Sequence, residues 1–66
     1  MDGTLREKIA PGMAVDIVLK KDQRTGHMTR GVVRDILTRS KQHSHGIKVR
    51  LTDGQVGRVK AVLPAP

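Results

Sequence analysis

The fold of this chain is decided by residues 45–60, which read His45-Gly46-Ile47-Lys48-Val49-Arg50-Leu51-Thr52-Asp53-Gly54-Gln55-Val56-Gly57-Arg58-Val59-Lys60. Apolar and basic residues alternate strictly from Ile47 to Leu51, and a period of two is typical of a half-buried strand. Asp53-Gly54 follows, a pair that favours a tight type I′ turn. The stretch therefore predicts two antiparallel strands joined by a two-residue turn.

Keeping the second strand in phase requires one extra residue, because a two-residue turn would otherwise bury Arg58 opposite Val49. Glycine is a natural site for a β-bulge, so we expect a bulge at Gly57-Arg58. The outer face would then carry only cations, with Lys48 across from Lys60; they are Lys48, Arg50, Arg58 and Lys60. Opposed like charges destabilise a ribbon, which favours a polyanionic partner. The alternative is that lysine and arginine simply serve as an exposed polar face.

Composition limits the classes of function. The 66 residues make one domain, and a net charge of +7 with a pI near 11.0 favours nucleic acid or another polyanion as the partner. Residues 1–38 carry seven basic and five acidic side chains, whereas residues 39–66 carry six basic side chains against Asp53 alone. Without Phe, Tyr or Trp the chain cannot stack single-stranded bases on aromatic rings. It would instead read the backbone and shape of structured RNA.

Other absences narrow the setting. With no cysteine there is neither a disulfide framework nor a thiolate metal site, which fits a reducing compartment. No apolar run approaches transmembrane length, and the N-terminus lacks the layout of a signal peptide. We therefore expect a cytoplasmic protein with no membrane association. A core of Val, Ile, Leu and Met argues against a deep aromatic-lined pocket, and we expect no cofactor.

The preceding residues predict two further strands. Val15 to Leu19 alternates and predicts the first. Residues 20–27 are polar and form either a long hairpin loop or a ribbon that continues the strands. In residues 29–38 the apolar pairs Val32-Val33 and Ile36-Leu37 do not alternate. Their β-branched content favours a strand rather than a helix. We expect this strand to be bent and to cross between two sheets.

The two ends of the chain complete the architecture. Thr4-Leu5-Arg6-Glu7 matches a capping box and predicts a helical turn within an N-terminal arm, residues 1–10, with a frayed arm as the alternative. Residues 61–63 supply a short last strand or a 3₁₀ turn, and the tail 64–66 cannot join a ladder. The prediction is an all-β fold, a single SH3-like antiparallel barrel of about five strands over residues 1–66.

A family resemblance covers most of the chain. It rests on VDIVLKKDQRTG (15–26), TRGVV (29–33) and HGIKVRL (45–51), with DG at 53–54 and VGRV at 56–59. In these stretches the chain resembles the YwbE-like family of small uncharacterised proteins, which implies no assigned reaction. Members often carry an aromatic residue and a proline before the histidines. Here the corresponding loop reads SKQHSH (40–45), so no role that depends on that ring carries over.

A second similarity is to the KOW-type SH3-like modules of ribosomal proteins and transcription factors. It rests on Gly31-Val32-Val33 alone. Modules of that type place a glycine-bearing strand and basic loops against RNA or partner proteins, and the analogy holds at the level of the fold.

Metal binding and catalysis have little support in the sequence. His43 and His45 lie on one side of an extended segment, and His27 would be a third ligand for zinc or nickel. Two histidines in a basic loop without a nearby carboxylate are more typical of a polar surface. No nucleophile lies near a matching base and no carboxylates are paired, so we interpret the chain as a protein that is not an enzyme.

The sequence thus predicts a non-enzymatic nucleic-acid-binding module for structured RNA. Phosphate contacts are expected from the C-terminal hairpin and from the loops; the residues are Lys48, Arg50, Arg58, Lys60, Arg39, Lys41, Lys20, Lys21 and Arg24. The alternative is a protein-interaction module that docks on an acidic or ribosome-associated partner. Protonated histidines would add positive charge, so anion binding is expected to show a weak pH dependence.

Overall fold

The computed structural model describes residues 4–63, which form a closed antiparallel barrel. The four strands are β1 (Ala14–Leu19), β2 (Thr29–Ile36), β3 (Lys48–Leu51) and β4 (Val56–Val62). They pair in the order β1-β2-β3-β4, and β4 pairs back on β1 to close the barrel. Two 3₁₀ turns, Arg6–Lys8 and Lys20–Asp22, complete the regular structure. The predicted small all-β barrel is confirmed, with four strands rather than five.

The predicted separate last strand is the end of β4. Residues 61–62 continue β4 beyond Lys60 and pair with β1. The register against β1 shifts by one residue at Lys60, which is therefore a bulged residue. A bulge bends a strand, so one continuous β4 pairs with β3 over residues 56–58 and with β1 over residues 57–62.

The turn between β3 and β4 corrects the predicted hairpin. The Gly54 N–H donates to the Leu51 carbonyl at 2.9 Å, and the Leu51 N–H donates to the Gln55 carbonyl at 2.8 Å. The loop therefore contains three residues, 52–54, rather than two. Gly54 has φ +94° while the other two loop residues keep negative φ, as expected for a three-residue loop closed by a left-handed glycine. The extra residue lies in the turn, and the predicted bulge at Gly57 is wrong.

This register changes the pairs across the hairpin. They are Lys48 with Arg58, Val49 with Gly57 and Arg50 with Val56. The predicted pairing of Lys48 with Lys60 is therefore wrong. Gly57 is buried, and a Cβ there would lie 2.6 Å from the Val18 carbonyl oxygen. The glycine meets a need for space inside the barrel.

A second bulge explains the doubled apolar pairs of β2. The pairing with β3 shifts by one residue at Arg34, which makes Arg34 the extra residue. Val33 and Ile36, three positions apart, therefore both lie opposite buried residues of β3. Their neighbours Val32 and Leu37 are exposed. A bulge within one barrel replaces the predicted crossing between two sheets.

The interior is aliphatic and draws on the arm, the strands and the segment before β3. Its members are Ile9, Val15, Ile17, Val33, Ile47, Val49, Leu51, Val59 and Val62. Burial of apolar side chains of this kind drives the folding of a chain that has no aromatic residue to contribute. No helix among residues 4–63 has the length and apolar character needed to cross a membrane.

The part of the N-terminal arm that the structure describes is packed on the barrel. Leu5 forms an isolated antiparallel bridge with Gln42, and the Arg6 N–H donates to the Lys41 carbonyl at 2.8 Å. Ile9 is buried. The helical turn begins after Leu5, one residue later than the capping box predicts. Residues 1–3 and the predicted tail, 64–66, lie outside the described residues.

Candidate nucleic-acid interface

The centre of the predicted basic face is the cross-strand pair Lys48 and Arg58. Lys48 is exposed, whereas Arg58 is half-buried and donates from Nη1 to the Gly46 carbonyl at 3.3 Å. Neither forms an ion pair with any carboxylate of residues 4–63. Two positive charges therefore lie opposite each other without a neutralising acid, an arrangement that a bound anion would stabilise.

Lys60 extends this surface along β4. It is exposed, and its Nζ donates to the His45 carbonyl at 2.7 Å. Arg58 and Lys60 are thus held by the carbonyls of two consecutive residues, His45 and Gly46. A carbonyl orients a cation but does not cancel its charge, so both side chains keep a full positive charge. We call the three residues, Lys48 of β3 with Arg58 and Lys60 of β4, the β4 cation cluster.

Arg50 differs from the other three cations of the predicted face. Its Nη1 lies 3.6 Å from Oδ2 of Asp35, and the same oxygen lies 3.7 Å from Nε of Arg34. Across the hairpin Arg50 pairs with Val56 rather than with another basic residue. Asp35 therefore partly neutralises Arg50, whereas Lys48, Arg58 and Lys60 have no ion-pair partner among the carboxylates of residues 4–63.

A concave site opens beside Lys60, where β1, the turn after β1, the loop before β3 and β4 meet. We call it the histidine cleft; its volume is about 360 Å³ and its lining residues are Val18, Gln23, Gly26, His43, His45, Arg58 and Lys60. The turn after β1 is closed by a hydrogen bond from the Gly26 N–H to the Asp22 carbonyl at 2.8 Å. It forms one wall, and the loop before β3 together with β4 forms the other. Residues 20–27 are thus a loop rather than a continuation of the strands.

The remaining predicted contact residues lie in two other places. Lys20 and Lys21 belong to the exposed 3₁₀ turn after β1, and Arg24 is exposed in the turn that follows. Arg39 and Lys41 line a separate cleft of about 550 Å³ beside the N-terminal arm. The structure therefore brings together only part of the predicted set.

The two histidines of the cleft have defined electrostatics. The His45 N–H donates to Nδ1 of His43 at 3.2 Å, and the two ring centroids are 5.8 Å apart. Because an accepting Nδ1 carries no proton, the neutral His43 ring holds its proton on Nε2. The pKa of His43 is lowered from its ordinary value, first by burial and then by the positive charges of Arg58 and His45. His43 therefore offers an N–H donor at neutral pH.

The metal candidates His43 and His45 gain no third ligand in the described part of the chain. No group of three or more His, Cys, Asp or Glu side chains able to hold a metal ion occurs among residues 4–63, so His27 does not join the pair. The donor set falls short of the three or four protein ligands that zinc sites use. The lining of the cleft suits an anion instead.

Sequence reasoning found the cations but missed the concave site. It placed Arg58 and Lys60 on an open hairpin face, whereas the structure sets the turn at Gln23 and Gly26 opposite them. One signal was present. The stretches 15–26 and 45–51, which carry the family resemblance, include several of the lining residues.

The fold and this surface define a class of protein, a small β-barrel with an aliphatic core and a cationic side built on its last two strands. The chain belongs to the family described as uncharacterized conserved protein (DUF2196), which matches residues 2–62. It is similar to the uncharacterized protein YwbE of Bacillus subtilis (strain 168), with 57% identity over 63 residues that cover 96% of this chain and 97% of that protein. The YwbE-like resemblance is confirmed, and the KOW-type similarity stays a prediction. The comparison with solved structures gave no match.

Proposed function

We propose that this chain is a non-enzymatic nucleic-acid-binding module whose β4 cation cluster contacts the phosphates of structured RNA. The observation that carries the proposal is the cross-strand pair Lys48 and Arg58, which have no acidic partner among residues 4–63. Such a pair lowers folding stability, by something on the order of 0.2–1 kcal/mol. A bound polyanion would offset that loss by placing negative charge beside both side chains.

The expected ligand is structured rather than single-stranded RNA. Single strands are usually held by bases stacked on aromatic rings, and this chain has none. The β4 cation cluster instead lies on two paired strands of a barrel that measures 26 × 24 × 20 Å. A body of this size is suited to contacting a few phosphates on one side of a folded RNA.

A salt titration tests the proposal. Binding to ribosomal RNA stem-loops would be measured by filter binding or gel shift at several salt concentrations. If the three cations of the β4 cation cluster neutralise three phosphates, the slope of log affinity against log salt is expected to be about −2 to −3. Micromolar or weaker binding that does not respond to salt would contradict the proposal.

A protein-interaction module is the second candidate. The observation that favours it is a set of exposed apolar side chains in and beside β2, namely Met28 (50% exposed), Val32 (39%) and Leu37 (38%). The partner would be an acidic or ribosome-associated protein. Copurification from cells with and without nuclease separates the candidates. A partner retained after nuclease treatment favours protein docking, and loss of the bound material favours RNA.

A further inference from the structure

The histidine cleft contains two cations that are oriented before any ligand binds. Lys60 Nζ donates to the His45 carbonyl at 2.7 Å and Arg58 Nη1 donates to the Gly46 carbonyl at 3.3 Å. The turn that supplies both carbonyls is itself closed by a hydrogen bond from the Gly46 N–H to the His43 carbonyl at 3.0 Å. Side chains held in this way lose less conformational entropy when they bind a ligand than free lysines do.

The donors of the cleft match an anion. Lys60 and Arg58 supply N–H donors with full charge, His43 supplies Nε2–H, and Gln23 supplies a side-chain amide. No carboxylate is among the lining residues that the structure describes. The pKa of His43 is lowered first by burial and then by the nearby charge of Arg58, and bound negative charge would oppose the second of these effects.

We propose that the histidine cleft binds a phosphate monoester, the terminal phosphate of a nucleotide or of an RNA strand. A terminal phosphate carries about −1.5 to −2 charges at pH 7 and so matches two fixed cations. An internal phosphodiester carries only a single charge. Because the backbone continues on both sides of it, it fits a recess less well than a terminal phosphate does. The volume, about 360 Å³, lies at the lower end of ligand sites and suits a single nucleotide.

The first experiment uses the full chain and small probes. Adenosine 5′-monophosphate, inorganic phosphate and adenosine would each be titrated into ¹⁵N-labelled protein at pH 7. The two phosphate compounds should shift the resonances of His43, His45 and Lys60, and adenosine should leave them unchanged. Equal shifts with adenosine, or shifts confined to residues outside the cleft, would overturn the proposal.

Matched charge variants separate a built site from general attraction. Lys60→Gln should weaken binding of adenosine 5′-monophosphate about tenfold, as expected for the loss of a charge-assisted hydrogen bond. Lys8→Gln removes the same charge from the exposed 3₁₀ turn of the N-terminal arm, outside the cleft, and should change affinity less than about twofold, as a screened surface charge does. Gln23→Ala, at an exposed position in the opposite wall, should also weaken binding. Equal losses from Lys60→Gln and Lys8→Gln would overturn the proposal.

Two RNA oligonucleotides of one sequence, with a 5′-phosphate or a 5′-hydroxyl, identify the source of the phosphate. A preference for the 5′-phosphate that disappears in Lys60→Gln supports an RNA end, and binding of the mononucleotide alone supports a free nucleotide. This arm rests on the proposed function, but the mononucleotide titration does not. Salt-dependent RNA binding with no response to adenosine 5′-monophosphate would overturn only the cleft. Mononucleotide binding without a salt-dependent RNA interaction would overturn only the RNA module.

Discussion

The β2 side and the β4 side of the barrel hold their cations in different ways. On β2, Nε of Arg30 donates to Oδ1 of Asp16 at 3.1 Å, a carboxylate that neutralises the charge. On β4, Arg58 and Lys60 donate to two consecutive backbone carbonyls of the loop before β3. A carboxylate orients a cation and cancels its charge, whereas a carbonyl only orients it. The comparison shows that the partner of a cation, more than its residue type, decides whether its charge remains available.

The protonation equilibria differ between the two sides in the same sense. The pKa of Arg30 is raised, first by its hydrogen bond with Asp16 and then by the charge of that carboxylate. The pKa of His43 is lowered by burial and by neighbouring positive charge. One side therefore stabilises added positive charge and the other resists it. A bound anion would therefore stabilise the positive charge on the β4 side more than on the β2 side.

The largest expected effect comes from removing the loop conformation that holds the β4 cations. Gly46 has φ +102°, and a Cβ at this position would collide with the Val59 carbonyl oxygen. Gly46→Ala should therefore lower the free energy of unfolding by about 3 kcal/mol or more, measured by urea denaturation. Gly54→Ala is the matched control, since Gly54 has φ +94° but open space around it, and should cost about 1–2 kcal/mol. Equal losses of unfolding free energy in the two variants would show that the close approach of Gly46 to Val59 of β4 does not affect stability.

The next effect concerns charge on the two sides. Lys48→Gln removes an unpaired cation and should reduce the magnitude of the RNA salt slope by about 1. Arg34→Gln removes an exposed cation from β2, whose Nε lies 3.7 Å from Oδ2 of Asp35, and should reduce the slope by much less. The measurement is the salt titration described above. Equal changes in slope would mean that the two sides do not differ toward RNA.

A smaller effect is the pH dependence of stability that His43 contributes. Its folded-state pKa lies below the ordinary value of 6.5, so the unfolded chain binds more protons in this range. The contribution is present in full above pH 6.5 and is lost as the pH falls through 6.5 toward the lowered pKa. Thermal midpoints between pH 8 and pH 5 should show less pH dependence in His43→Gln than in the parent chain. Arg58→Gln should raise the His43 pKa toward 6.5, and no change would contradict the contribution assigned to the Arg58 charge beside that of burial.

The smallest expected effect concerns Asp53, which is the one acidic residue of the sequence from 39 to 66. Asp53 accepts hydrogen bonds from the side-chain Nε2 of Gln55 at 2.7 Å and from its backbone N–H at 3.1 Å, and these bonds, in that order, lower the pKa of Asp53. Its contribution to stability is present above pH 3.8 and is lost as the pH falls through the lowered pKa. Asp53→Asn should lower the urea midpoint slightly at pH 7 and leave it unchanged at pH 2. A change in the RNA salt slope would show instead that Asp53 screens the cations.

Local patterns predicted one strand almost completely. The alternation from Ile47 to Leu51 gave the correct inward and outward faces of β3. The turn after it was predicted wrongly, because Asp53-Gly54 fits either a two-residue or a three-residue loop. The choice depends on whether Gly57 must face the interior opposite Val49, which only the assembled barrel decides.

The bulges at Arg34 and Lys60 could not be predicted from the sequence, for a different reason. Whether a residue is extra is defined by its pairing partner, and the partner strands lie far away in the sequence. The doubled pair Val32-Val33 was visible as an anomaly, but its cause was not. The same limit hid the histidine cleft, since it forms only when the turn at Gln23 comes to lie opposite β4.

The sequence by itself determined the all-β class, the aliphatic core and the excess of cations after residue 38, because composition and a period of two are properties of neighbouring residues. The tertiary structure decided which cations keep their charge. That outcome depends on which strand positions face Asp16 and Asp35 and which face the carbonyls of His45 and Gly46. Register and barrel closure set those distances, and neither is encoded in the spacing of residues along one strand.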